Sequence, residues 1–362
     1  MRRFCVFCGE KPVDKNREHV VPQWLVKYTG DPNRLTLIGK KNGKERKITW
    51  LNFAFPACES CNTLFGKIEA QIQLILIKID KEKLVSHDEL DLFMDWLDKV
   101  RIGMWLGHAM FDKKDFEPNF FINSRVGKKD RMCLIYKIDD DDQGIGIIGS
   151  DTLVFENTPS CFTMMINNMV FFSYSKEFLL AENLGFPFPD FYSYDSNMNV
   201  KVNKFLHGKY KVTTPIIDGK IIKPAVKLYQ CILDGPHDLV RPSFGSGRSY
   251  YNSNCLAFRN RLIKSRIFIS DDHSNFHDFW PKNQQCRFKF SNRFDRILFN
   301  QAIAQTTLEH QNHAISEPLR RQELMEESEK KIFDMYYDNL LAVNNRKITE
   351  IKKLTALFVT VV

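Results

Sequence analysis

The spacing of hydrophobic positions changes period along this chain, and each change predicts an element. Leu64, Phe65, Ile68, Ile72, Ile75 and Ile79 recur at steps of three or four residues, which predicts a helix starting at Asn62 or Thr63. A second helix follows. Ser86 and Glu89 have the spacing of a capping box, and Leu90, Phe93, Met94, Leu97, Val100 and Met104 form one apolar stripe behind it. Beyond residue 111 the helical period gives way to short β-prone runs between polar turns, at Met132–Ile138, Thr152–Phe155 and Phe162–Ile166. Residues 210–232 add two more runs around Asp218-Gly219, a hairpin signal. After Pro318 the chain becomes rich in Leu, Glu, Arg and Lys with neither Gly nor Pro, predicting a long helix through roughly residue 342.

Near the start, Pro22 biases Val21 toward extended backbone, so the preceding Glu18-His19 reads as a strand or strand edge. Residues 39–47 form a basic turn centred on Asn42-Gly43, either a solvated loop or a phosphate-contacting one. Residues 241–254 are rich in turn formers and read as a loop. Asp139 to Asp142 read as a solvated acidic turn, because no Glu follows at calcium-loop spacing.

Composition places the chain among globular proteins long enough for two or three domains, with 362 residues, 43% hydrophobic and 27% charged. The net charge of +8 favours a polyanionic partner such as nucleic acid. The excess is concentrated at the front, where residues 1–67 hold thirteen Lys or Arg against six Asp or Glu. Nine cysteines, an odd number, and the lack of a leader-like apolar stretch before Cys5 lead us to expect a reducing, cytoplasmic setting. The most apolar run, Leu74–Ile79, is far short of the ~20 residues that span a bilayer, so no membrane association is expected.

The chemistry concentrates in two Cys-x-x-Cys knuckles, Cys5/Cys8 and Cys58/Cys61. Each knuckle aims two thiolates at one point, and together they supply the four ligands of a closed structural Zn2+ site. Forty-nine residues separate them, too many for a simple ribbon, so something folded must lie between. Glu18, His19 and Asn62 then invite a choice. A carboxylate and an amide oxygen can hold Mg2+ or Mn2+ while a neutral imidazole takes a proton from water, which is what phosphodiester hydrolysis requires. Alternatively Glu18-His19 is a polar strand edge, Asn62 a helix cap, and the zinc module only a binding surface.

The order Cys-x-x-Cys, Glu-His-Val-Val-Pro, Cys-x-x-Cys-Asn and Phe65-Gly66-Lys67-x-Glu69 resembles the HNH endonuclease superfamily, in particular members whose ββα-metal core is supported by a four-cysteine zinc finger of treble-clef type. The match covers about residues 3–70. The resemblance implies His19 as general base, Glu18 and Asn62 as ligands of the catalytic ion, and Asn52 as the middle Asn that orients the base. Asn62 stands where the name-giving motif has His. Arg17, Lys44, Arg46 and Lys67 become candidate phosphate contacts, although a solvated surface accounts for them equally, and Glu69 could approach the metal.

The expected architecture is therefore α+β. It comprises a zinc-supported HNH module over residues 1–85, a helical connector over 86–112, a β-rich α+β domain over 113–300 and a helical segment over 301–362. The expected function is a metal-dependent endonuclease acting on nucleic acid, DNA before RNA, with a bacterial defence system that holds it silent until triggered as the setting its architecture suggests by analogy. The alternative is a non-catalytic zinc finger that binds nucleic acid or protein. A homo-oligomer or a regulatory partner protein is compatible with both. The pairs His273/His277 and His310/His313 read as incidental histidines in polar loops, and Cys133, Cys161, Cys231, Cys255 and Cys286 as mostly buried small residues.

Overall fold

The computed structural model describes residues 4–14, 16–41, 44–111, 117–139, 143–176, 187–194, 200–207, 215–217, 220–230, 267–271, 276–277, 287–290, 293–319 and 327–361. It is a mixed helix and strand structure, in line with the α+β expectation. The first knuckle leads into β1 (Arg17–His19) and α1 (Gln23–Tyr28). A hairpin of β2 (Thr36–Lys41) and β3 (Lys44–Ile48) fills the long gap between the knuckles, its Asn42-Gly43 tip lying outside the described residues. The chain then returns as β4 (Ala54–Pro56), antiparallel to β1 with Glu18 opposite Phe55 and His19 opposite Ala54.

α2 (Glu59–Asp80) starts a turn earlier than its apolar stripe indicates. Cys58 is its N-cap, and the N–H of Glu59 is satisfied by the carboxylate of Asp14 at 3.0 Å. The second knuckle thus lies across the helix start, and the N–H of Asn62 already bonds to the carbonyl of Cys58. The stripe is buried from Phe65 onward, with Ile68 half-buried, while its first member, Leu64, is exposed in the opening turns of the helix. Phe65, Ile72, Ile75, Leu76 and Ile79 are buried, each such side chain contributing about 1.5–3 kcal/mol.

α3 (His87–Phe111) begins at the expected capping box, with Glu89 N–H to Ser86 Oγ at 3.3 Å and Ser86 N–H to the Glu89 carboxylate at 2.9 Å. It is no peripheral connector. Trp96, Ile102, Trp105 and Leu106 are buried as well as the anticipated stripe, and so are Asp98, Lys99 and Arg101, so from Trp96 onward the helix is buried nearly all round and lies within the core. One side packs on the module that carries the two knuckles, and Gly103 and Gly107 allow close approach to Val20 and to Phe53 and Phe55. Another side faces the main sheet through residues such as Phe93, which meets Phe171 edge-on at 5.2 Å.

Among the described residues that sheet holds eight strands. They are β5 (Asp130–Asp139), β6 (Ile145–Ile148), β7 (Cys161–Ile166), β8 (Met169–Lys176), β13 (Val226–Gln230), β14 (Ile267–Asp271), β15 (Phe276–His277) and β16 (Arg287–Lys289). The order is β15-β14-β13-β5-β8-β7-β6, antiparallel throughout, with β16 parallel to the end of β5. Cys133, Ile135 and Phe171 point to the α3 side, and Leu134, Tyr136 and Phe172 to the other. Both faces are therefore buried, which explains why β5 is a continuous apolar run.

Two small hairpins accompany the sheet, β9 (Pro187–Tyr194) with β10 (Val200–His207), and β11 (Ile216–Ile217) with β12 (Lys220–Ile221). The second flanks Asp218-Gly219, which lie outside the described residues, as do residues 140–142 and 241–254. Between β6 and β7, Thr152–Phe155 is not a strand. Thr152 Oγ1 accepts the N–H of Phe155 at 3.0 Å and caps α4 (Leu153–Asn157), a local bond that overrides the β propensity of Val154 and Phe155.

The second sheet face is covered by α5 (Arg293–Leu319), which begins before residue 301 and belongs with the sheet. α6 (Glu327–Val361) runs back along α5, as Asn344 bonding Leu308 and Thr355 bonding Gln301 show. His310 and His313 therefore lie on a helix and not in a loop. Among the described residues, no helix is long and apolar enough to cross a membrane.

Candidate functional site

The four knuckle sulfurs converge. All of their ligand atoms lie within 4.8 Å of one another, and Cys8 and Cys58 are 3.8 Å apart, close to the ~3.8 Å edge of a tetrahedron with metal–sulfur bonds of about 2.3 Å. The first knuckle turns at Gly9, with φ of +85° and a Phe121 ring so close that a Cβ would come within 2.3 Å of it. The two thiols of the second knuckle resist ionisation. Burial and the neighbouring Cys5 and Cys8 push the thiol of Cys58 up to about 12 and that of Cys61 up to about 11. Cys5 goes the other way despite its burial, because backbone N–H groups of Cys58, Cys8 and Phe7 favour its thiolate. The four cysteines fit a metal such as zinc, which would supply a fixed cross-link between the start of the chain and the start of α2.

Such a cross-link would fix the β1/β4 ribbon beside the first turn of α2. Strand alternation then divides the candidate residues between two faces, with Arg17 exposed, Glu18 buried and His19 half-buried. Burial draws the His19 ring below its ordinary range, aided by Arg17 and Lys99, while Glu18 and a hydrogen bond to the backbone of Leu51 act in the opposite direction. Net, the ring is neutral near pH 7, with the Gln23 amide 3.4 Å from Nε2. The Arg17 guanidinium donates to the carbonyl of Ala54. The Asn62 amide donates to Asn16 Oδ1 at 3.0 Å and to the Arg17 carbonyl at 3.4 Å, which ties α2 to the head of β1.

No family model, curated protein or solved structure matches the chain.

Glu18 has a partner that sequence reasoning missed. Its carboxylate forms an ion pair with Lys99 of α3, whose Nζ is also 2.7 Å from Glu69 and 3.2 and 3.3 Å from the carbonyls of His19 and Val20. The Lys99 side chain is 0% exposed and that of Glu18 6%. Burial alone would discharge the ammonium, but Glu18 and Glu69 raise its pKa and keep it charged. Burial also raises the pKa of Glu69. The sequence carried no signal for Lys99, since the apolar stripe of α3 predicts one buried face and leaves a lysine beside it free to lie in solvent.

The expected Mg2+ or Mn2+ site on Glu18 and Asn62 therefore does not fit these residues. Glu18 is enclosed and already neutralised, and a dication on it would lie a few Å from a fixed ammonium. Among the described residues, the four cysteines are the one cluster of three or more metal-ligating side chains.

The other candidates are scattered. Asn52 is exposed at the end of a short 3-10 turn, Trp50–Asn52, and it is the preceding Leu51 whose backbone holds the His19 ring. Lys67 is exposed on α2, five residues beyond Asn62. Arg46 does not extend freely from the basic hairpin. Its guanidinium lies 5.4 Å from the centre of the Phe111 ring and lines a cavity of about 230 Å3 with Trp105, His108 and Ser150. The Lys44 side chain lies outside the described residues, as do Cys231, Cys255, Cys286 and His273. Cys133 and Cys161 are buried as expected.

Proposed function

We propose that this chain is an HNH-type endonuclease that hydrolyses phosphodiester bonds of nucleic acid, with DNA the expected substrate. The observation that carries this reading is the neighbourhood of His19. A neutral, half-exposed imidazole is held by the Leu51 backbone on a ribbon next to a four-cysteine centre, with the Arg17 guanidinium on the same strand face. In this reading His19 takes a proton from water, the resulting hydroxide attacks phosphorus, the P–O ester bond breaks, and the leaving oxygen takes a proton from solvent. Arg17 and Lys67 offset phosphate charge. No step is assigned to Mg2+ or Mn2+, because the carboxylate expected to hold the ion is paired with Lys99. Action in the cytoplasm belongs to the same proposal. So does control by a trigger or partner in a defence system, which the packing of α3 against both the zinc module and the main sheet supports.

A second reading is a zinc module that binds nucleic acid without cutting it, and the enclosure of Glu18 is the observation in its favour. Plasmid DNA and RNA incubated with the zinc-loaded full chain, with and without added Mg2+ or Mn2+, separate the two. Cutting by the wild type that His19→Ala abolishes, with zinc content and circular dichroism unchanged, supports the nuclease. Undiminished cutting by His19→Ala removes His19 as the base, and salt-sensitive retention with no cutting under any condition establishes the binder.

A further inference from the structure

We propose that Lys99 is a resident cation of the Glu-His module: its ammonium holds the place between Glu18 and Glu69 that a divalent ion would take, and it positions His19 by gripping the strand on which that ring is carried. For its part in hydrolysis the proposal rests on the nuclease reading. Its central claim, that the carboxylate pair is committed to a lysine, does not.

The argument is geometric. Lys99 Nζ donates to Glu18 and Glu69 on two different elements, β1 and α2, and pairs with no third carboxylate among the described residues. Two carboxylates within reach of one cation are the usual oxygen donors for Mg2+ or Mn2+, and here an ammonium takes their charge. The remaining N–H of Lys99 is shared between the carbonyls of His19 and Val20, so three of its four contacts fall on residues 18–20. Ammonium geometry is permissive, with three rotatable donors and no coordination shell to complete. One side chain can thus satisfy a strand and a helix at once. Because α3 carries it, the base-bearing strand takes its position from an element beyond the first 70 residues. Lys99 acts through Glu18 and the backbone and is a positioning residue.

The test is Mn2+ binding, followed by electron paramagnetic resonance, on the full chain with its cysteine site already loaded with zinc. The wild type is expected to bind no Mn2+ that depends on Glu18, so that Glu18→Gln leaves the titration unchanged. Lys99→Met, which removes the ammonium and keeps the stem, is expected to gain one Mn2+ site, at least tenfold tighter than any site of the wild type and lost again in Glu18→Gln/Lys99→Met. A wild-type site abolished by Glu18→Gln overturns the proposal, and so does a folded Lys99→Met protein that gains none. Should Lys99→Met not fold, the wild-type comparison with Glu18→Gln decides alone. A purely structural lysine would not move this readout. Failure of the wild type to cut any nucleic acid sinks the nuclease reading and leaves the Mn2+ result standing.

Discussion

Lys99 on α3 and Glu18 on β1 form an ion pair from which solvent is nearly excluded, across 81 positions of sequence. Breaking one side of such a pair strands the other charge in the interior, a loss of about 3–5 kcal/mol. Lys99→Met should therefore destabilise the chain by that order in urea unfolding. The double variant Glu18→Gln/Lys99→Met should recover part of it, since residue 18 then carries no charge and only Glu69 has lost its partner. Equal stabilities of the single and double variants would show that the two groups are not coupled.

The cysteine centre should bind one zinc per chain, measured by elemental analysis, and Cys58→Ser should lose it. Structural zinc contributes on the order of 10–16 kcal/mol in small peptides. Here Phe7 also stacks on Phe65 at 4.4 Å and the module shares its core with α3. The expected outcome is a lowered melting temperature with the helical signal retained, and a fully unfolded Cys58→Ser protein contradicts it.

Two glycines should respond to alanine with opposite signs. Gly66 on α2 has open space around it, so Gly66→Ala should stabilise by roughly 0.5–1 kcal/mol through helix propensity alone. At Gly107 an added Cβ would come within 2.7 Å of the rings of Phe53 and Phe55, so overpacking of about 1–3 kcal/mol outweighs the same propensity gain. Denaturant midpoints of the pair check both signs.

His310 should make the fold acid-sensitive. It is fully buried on α5 against Phe172, with Nδ1 2.8 Å from the Thr306 carbonyl, and burial lowers its pKa to about 3. The ring is neutral in the folded chain and protonates near 6.5 when unfolded. Its contribution is complete above pH 6.5 and is lost as pH falls toward 3, at up to about 1.4 kcal/mol per pH unit. Over pH 6.5 to 5, before most carboxylates titrate, His310→Phe should flatten the decline in unfolding free energy that the wild type shows. An identical slope in the variant would assign the acid sensitivity elsewhere.

Local signals were legible where the cause is local. The capping box at Ser86 and Glu89, the apolar stripe of α2, the extended backbone before Pro22 and the tetrad of cysteines all depend on neighbours a few residues away or on ligand chemistry that only cysteine supplies. The role of α3 was not legible, because its stripe predicts one buried face while burial on every side depends on a sheet and a ribbon that approach it from distant parts of the chain. Thr152–Phe155 shows the same limit on a small scale, with a cap and tertiary packing overriding residues that prefer strands.

The candidate site divides along that line. Sequence by itself determined the candidates, since knuckle spacing and the Glu-His pair can be read without coordinates. Tertiary structure alone decided which way each side chain faces and with whom it pairs. Strand alternation turned Glu18 inward while leaving His19 half-exposed, and a lysine 80 residues beyond His19 met it there. Buried charges must find partners, but the linear order of residues does not specify which element will bring them.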